Sequence, residues 1–292
     1  MISTDLVRRL VNSQFPRFAD LPVRPVRVDG WDNRTFHLGD ELTVRLPSAE
    51  GYVPQVEKEH RWLPYLAPRL PLPIPTPVAL GGPGEGYPFP WSIYGWLGGE
   101  TADQGRVDDL EVFAADLAAF LTALQRVDAT SGPTYGLHSA YRGGPLATYA
   151  DEALQAMAVL ADELDLDAVS AVWEAAMASE WVRPPVWFHG DIATGNLLVR
   201  DGRLAAVIDF GTAGVGDPAC ETVIAWTRFT AASRAAFRAG LDLDSATWAR
   251  GRGWALWKAL IVLVGARETE PSNAAVQRRV IAEVVADHTA TG

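Results

Sequence analysis

The chain changes character at Gly98-Gly99, and that change constrains its fold more than any other feature. Upstream lie short β-like runs separated by prolines: Val26-Arg27-Val28, Thr35-Phe36-His37-Leu38, Leu42–Leu46, Val78-Ala79-Leu80 and Trp91-Ser92-Ile93-Tyr94. Two helices interrupt them. One follows the N-cap Ser3, with Leu6, Val7, Leu10 and Val11 on one face, and the other covers Gln55–Leu66. Downstream, helical periodicity dominates over Asp108–Arg126, Pro145–Glu163, Asp167–Ser179, Ala219–Thr230, Ser245–Val264 and Ser272–His288. Only Val186–Phe188, Leu197–Val199 and Ala205–Ile208 read as strands there. The pattern predicts an α+β fold of two lobes, a small β-rich one at 1–97 and a larger, mostly helical one at 98–292. A connector at about 92–99 joins them, and a cleft lies between. The glycine cluster Gly81–Gly86 joins two strands, with neither a Lys-Ser/Thr pair nor a helix behind it. It reads as a hairpin turn, not a phosphate loop.

A chain of 292 residues, 48% hydrophobic, can bury the cores of two lobes. The net charge of −11 repels nucleic acid and anionic membrane and would attract cationic small molecules, so neither nucleic acid nor membrane is an expected partner. A single cysteine, Cys220, excludes an intramolecular disulfide. Met1–Leu6 lacks the basic and apolar pattern of a signal peptide. The apolar segment Trp254–Gly265 is short of the roughly 20 residues a membrane span needs. It is expected as a buried helix, and the protein as cytoplasmic. The Trp residues at 226, 248, 254 and 257 are expected mostly in the core, one or two of them walling a substrate pocket.

The chemistry-bearing residues cluster in His189-Gly190-Asp191-Ile192-Ala193-Thr194-Gly195-Asn196 and Ile208-Asp209-Phe210-Gly211, each beside a strand-like run. A carboxylate on the tight loop at Asp191 can orient a hydroxyl and accept its proton. Asn196, five residues on, can offer a carboxamide oxygen to a metal, and Asp209 a second hard oxygen. The pattern points to phosphoryl transfer. No Ser-centred nucleophile elbow occurs, and one cysteine with scattered histidines excludes a Cys-rich zinc site.

His189-Gly190-Asp191-x4-Asn196 followed by Asp209-Phe210-Gly211 resembles the catalytic and metal loops of the aminoglycoside phosphotransferase family, small-molecule kinases with the protein-kinase-like fold. The likeness continues through Gly216-Asp217-Pro218-Ala219 and Glu221. The resemblance implies that Asp191 is the catalytic base, that Asn196 and Asp209 hold Mg²⁺, and that ATP or GTP is the donor. Arg45 falls where the family has a lysine on the α- and β-phosphates, and Glu59 where it has that lysine's acidic partner, with Glu57 as a rival. Arginine is a planar fork rather than a point charge, so this departure bears on the phosphate contact. Gly95 and Leu97, in the connector, would meet the purine through their backbones, and His189 would brace the catalytic loop. Gly30-Trp31-Asp32-Asn33 would lie over the phosphates or form a simple turn. Glu221 would meet a cationic substrate or simply favour a helix N-terminus, and Asp217 would cap that helix.

The implied activity is Mg-dependent transfer of a nucleotide γ-phosphate to a hydroxyl of an aminoglycoside-like or other antibiotic. A metabolic amino alcohol or sugar is an alternative acceptor, and a pseudokinase-like nucleotide-binding regulator an alternative function. Five residues between Gly211 and Asp217 leave no room for a protein kinase's activation segment.

Overall fold

A computed structural model of the chain describes residues 2–27, 30 and 32–291. Helix α1 (Thr4–Gln14) starts where Ser3 Oγ accepts from Leu6 N, and buries Val7, Leu10 and Val11 as the heptad-like spacing predicts. They pack on an antiparallel five-stranded sheet, order β1-β2-β3-β5-β4, formed by β1 (Val23–Pro25), β2 (Asn33–Leu38), β3 (Leu42–Pro47), β4 (Pro77–Gly81) and β5 (Trp91–Gly95). The first strand lies three residues before the expected Val26–Val28. Val23 is the buried residue that pairs with Leu38, and Val28 lies outside the described residues. The glycine cluster between β4 and β5 is a turn, closed by Gly84 and Tyr87 exchanging backbone hydrogen bonds at 3.0 and 2.7 Å.

Strand β3 lies at the centre, and its two faces do different work. Val44 and Leu46 point into the core shared with α1, so period-two alternation sends Arg45 to the opposite face. That face is covered by α2 (Val53–Leu66), whose buried stripe is Val56, Glu59, Leu63 and Leu66. Glu59 occupies a core position in this stripe by helical spacing alone, whereas Glu57 is exposed. The inward acid is therefore Glu59.

The rest of the chain is built on helices. α3 (Leu110–Gln125) starts at Asp109, whose side chain accepts from Glu111 N and Val112 N, and it buries Phe113, Leu117, Phe120 and Leu121. The expected helix over 145–163 is a 3₁₀ turn, Leu146–Tyr149, followed by α4 (Ala150–Val159), and α5 (Leu166–Met177) comes next. Small strands β6 (Glu100–Thr101), β8 (Leu197–Arg200) and β9 (Arg203–Val207) form one sheet. β7 (Val186–Phe188) pairs with β10 (Gly214–Gly216). The expected helix over 219–230 divides into a 3₁₀ segment, Pro218–Val223, and α6 (Ile224–Thr227). Thr230 then caps a helix the periodicity did not reveal, α7 (Ala231–Ala239). α8 (Ser245–Ala266) and α9 (Pro271–Thr291) finish the fold. Trp226, Trp248, Trp254 and Trp257 are all buried in the large core. Among the described residues no helix is long and apolar enough to cross a membrane.

Candidate active site

The loop between β7 and β8 carries Asp191 and Asn196, and Asp209 follows β9. The carbonyl of Asn196 accepts from Ile208 N at 2.9 Å, which laces the two loops together one residue before Asp209. Asn196 Nδ2 donates to the Asp191 backbone carbonyl at 2.9 Å and to Asp191 Oδ2 at 2.8 Å. That orientation leaves Asn196 Oδ1 and Asp191 Oδ1 for other partners. Asp209 adopts a left-handed backbone, φ 65°, a conformation that aspartate tolerates better than most residues.

The loop is held from beneath. His189 is fully buried. Its Nε2 donates to Ile208 O at 2.9 Å, and its Nδ1 accepts from Asp191 N at 3.2 Å, so the neutral tautomer braces the loop as expected. Gly190 has φ +87°, and a Cβ there would lie 3.0 Å from Thr212 O, so both conformation and space require glycine. Glu221 corrects an expectation. It is 0% exposed, with one carboxylate oxygen accepting from His189 N and the other from Gly190 N, both at 2.8 Å. It cannot reach a substrate from there, because its charge is spent on satisfying two buried amides. Asp217 caps the 3₁₀ segment through Ala219 N at 3.0 Å, as expected. It also forms a buried ion pair with Arg250 that the sequence did not reveal, Nε to Oδ2 at 2.7 Å.

Across from this loop, Arg45 spans two carboxylates. Nη1 lies 3.5 Å from Glu59 Oε1, and Nη2 lies 3.1 Å from Asp209 Oδ1. A lysine has one nitrogen and could not take both contacts from separate atoms. Burial works against the Arg45 charge, but Glu59 and Asp209 outweigh it and keep the guanidinium protonated. Burial raises the Asp209 carboxyl, and the charge and hydrogen bond of Arg45, with a backbone hydrogen bond from Gly211, oppose this and leave it below its ordinary pKa. Tyr94 donates its hydroxyl to Glu59 Oε2, completing the anchor behind Arg45.

Lys58, next to Glu59, was not singled out in the sequence. Its Nζ donates to Gly211 O at 2.6 Å, Ala213 O at 3.1 Å and His138 O at 3.3 Å, and meets His138 Nδ1 at 2.9 Å. His138 Nε2 donates in turn to Thr134 O at 2.8 Å. Helix α2 is thus tied to the backbone just after Asp209 independently of Arg45. Desolvation lowers the Lys58 pKa to about 8.

Two further expected contacts lie near this cluster. In the connector, Gly95 N donates to Thr76 O and Trp96 N to Glu41 O, at 3.0 and 2.7 Å. The Gly95 amide is thus engaged within the lobe, which leaves its carbonyl for a ligand at the connector. In the loop before β2, Gln55 Nε2 donates to Asp32 Oδ2 at 3.3 Å, and burial together with the Asp209 charge raises the Asp32 carboxyl. Trp31 of the same loop lies outside the described residues.

The donor set fits Mg²⁺. Asn196 Oδ1 and the Asp209 carboxylate are hard oxygens, and Mg²⁺ is commonly bound by one or two carboxylates plus substrate phosphates and water. Among the described residues no group of three His, Cys, Asp or Glu side chains gathers as a self-sufficient metal site, so the remaining ligands would come from phosphate and water.

Known proteins resemble the chain throughout its length. A GDP complex of a mutant aminoglycoside 2′-phosphotransferase-IIIa superposes with a TM-score of 0.73 at 18% identity, covering 98% of this chain and 99% of that one. A GDP and kanamycin complex of APH(2″)-IIIa gives 0.70 at 18%, covering 96% and 98%. Macrolide 2′-phosphotransferase MphH from Brachybacterium faecium gives 0.63 at 21%, covering 96% and 97%. These likenesses establish the bilobal protein-kinase-like fold. A search of curated proteins found no match. Residues 23–254 match the phosphotransferase enzyme family, a span that holds the Arg45–Glu59–Asp209 cluster, the Asp191–Asn196 loop and the Glu221 brace, and the chain belongs to that family.

Proposed function

We propose that the chain transfers the γ-phosphate of ATP or GTP to a hydroxyl of a small molecule, with Mg²⁺ as cofactor. One juxtaposition carries the reading: Asp191 and Asn196 on one loop, Asp209 facing Arg45 beside it, and the Ile208–Asn196 hydrogen bond joining the halves. Asn196 holds Asp191 Oδ2, which leaves Oδ1 to receive the acceptor's hydroxyl hydrogen bond and, late in transfer, its proton. Arg45, directed by Glu59 and Tyr94, supplies fixed positive charge to the α- and β-phosphates. Asn196 Oδ1 and Asp209 would hold Mg²⁺, which when bound neutralises charge on the phosphate oxygens. The Gly95 carbonyl and Leu97 amide would meet the purine. The lobes divide at 97/98. A cytoplasmic setting suits a nucleotide-consuming reaction and a chain whose lone Cys220 is buried and unpaired.

Hydroxylated antibiotics form the first acceptor panel, because solved neighbours are named for aminoglycosides and macrolides. Metabolic amino alcohols and sugars form the second. The test is nucleotide consumption by the purified chain, with ATP and GTP separately and with Mg²⁺ present or chelated. Asp191→Asn should lower turnover by about 10²–10⁴-fold. Turnover surviving within a few-fold would remove Asp191 as the base. Nucleotide binding without transfer to any acceptor would favour a pseudokinase-like regulator.

A further inference from the structure

On the side of α8 an aromatic wall carries two cations. Trp257 stacks on Tyr149 with ring centroids 4.0 Å apart, and Trp254 meets Trp257 edge-on at 5.6 Å. Two cations lie over this wall. The Arg142 guanidinium is 5.5 Å from the Trp257 ring and 5.9 Å from Trp254, and Lys258 Nζ is 6.0 Å from Trp257. Arg142 is aimed by an unusual backbone, with Ala140 and Tyr141 both left-handed at φ 46° and 53°, and with Tyr149 Oη donating to Ala140 O at 2.6 Å.

Among the described residues neither cation forms an ion pair. Arg142 Nη1 donates to Ala140 O at 3.2 Å, and Lys258 is exposed. The nearby acid Glu152 is engaged by Trp257 Nε1 at 3.0 Å. Helix α8 contains no Asp or Glu over its whole length, nor does the 137–150 segment that carries Arg142. Lys258 feels the charges of Arg142, Asp191 and Glu152. Its pKa is lowered, first by desolvation and then by Arg142, against the opposite pull of Asp191 and Glu152. Two cations over one aromatic surface, neither held in an ion pair, can receive an oxyanion.

We propose that the acceptor carries an anionic group, which Lys258 and Arg142 receive over the Trp254–Trp257–Tyr149 wall while its hydroxyl faces Asp191. The net charge of −11 suggested a cationic acceptor, but that charge is spread over the whole chain, whereas the two groups over this wall that form no ion pair among the described residues are both cations. A polycation such as an aminoglycoside would meet repulsion there.

The proposal rests on the phosphotransferase reading, and binding separates the two. Intrinsic tryptophan fluorescence of the full chain is titrated with matched pairs that differ only in charge: 4-hydroxybenzoate against 4-hydroxybenzamide, and a sugar phosphate against the free sugar. Kanamycin is the polycation control. The anionic member should bind about tenfold more tightly, and Lys258→Gln or Arg142→Gln should erase that margin. The carboxylate and phosphate arms identify which oxyanion is taken. In turnover, Lys258→Gln should raise the acceptor KM and leave the nucleotide KM alone. The proposal falls if no anionic member binds more tightly than its neutral match. It also falls if kanamycin is the better acceptor, or if Lys258→Gln lowers kcat at unchanged acceptor KM. Anion-selective binding without transfer to any hydroxyl would support the receptor and overturn the phosphotransferase reading instead.

Discussion

The Asp217–Arg250 pair offers the sharpest test of how the structure beneath the Asp191 loop is supported. Arg250 is 3% exposed and Asp217 is 7% exposed. The guanidinium gives Nε to Asp217 Oδ2 at 2.7 Å and Nη2 to Oδ1 at 3.3 Å, and reaches Ser179 Oγ and Thr247 Oγ1, both at 3.0 Å. Arg250→Met keeps most of the side-chain volume and leaves Asp217 a buried carboxylate with no cation. Breaking such a pair from one side costs about 3–5 kcal/mol. Removing both charges costs much less, so Asp217→Asn/Arg250→Met should recover at least half of the loss.

The pH dependence fixes the sign. Burial already raises the Asp217 pKa above its ordinary 3.8, even with Arg250 opposing it. Loss of Arg250 must raise it further. A carboxyl whose folded pKa exceeds its unfolded value holds a proton in the folded state after the unfolded chain has lost it. Its contribution to stability is therefore full at low pH and is lost as pH rises through the folded pKa. The deficit of Arg250→Met should be small near pH 4 and approach its full size at neutral pH. Urea denaturation of wild type, both single variants and the double variant across this range measures it. A deficit that is flat with pH, or a double variant no more stable than Arg250→Met, refutes the argument that an uncompensated Asp217 charge is the cause.

Three further outcomes follow from the site. Glu221→Ala leaves the His189 and Gly190 amides without their acceptors, each worth about 1–3 kcal/mol, and should lower both Tm and kcat at unchanged acceptor KM. A rise in acceptor KM alone would return Glu221 to the role of substrate contact. Lys58→Met removes the donor to Gly211 O and Ala213 O, so the Mg²⁺ concentration giving half-maximal activity should rise, and an unchanged Mg²⁺ dependence would mean that the tie does not position Asp209. Arg45→Lys should raise the nucleotide KM by about tenfold, because one ammonium cannot span Glu59 and Asp209 as the fork does. A KM within twofold of wild type would show that only the charge matters.

What could be read in the sequence follows from the range of the forces involved. The placing of Asp191, Asn196 and Asp209 on loops beside strands was legible because tight turns and strand ends are fixed locally. Glu59 could be separated from Glu57 only once α2 was oriented, although its place in the spacing Val56–Glu59–Leu63–Leu66 already carried that signal. α7 was missed because Ala231–Ala239 is only nine residues long and has a single large apolar residue, Phe237, so its amphipathic pattern comes from alanines set against arginines. Lys58, Arg250 and Glu221 escaped for a different reason. A charged residue in a helix reads as solvated by default, and its burial is decided by partners 153, 33 and 32 residues away in the chain. Those partners are a carbonyl, a carboxylate and two backbone amides, and backbone groups leave no trace in a sequence. The same blindness explains the acceptor. Net charge is a sum over the surface, whereas recognition depends on the few charges a ligand touches. Arg142 and Lys258 lie 116 positions apart and share the Trp257 ring only because the 137–150 segment folds against α8. A sequence can therefore announce the phosphate chemistry of this site, which is built from short loops, and leave unstated the acceptor chemistry, which is assembled from distant elements.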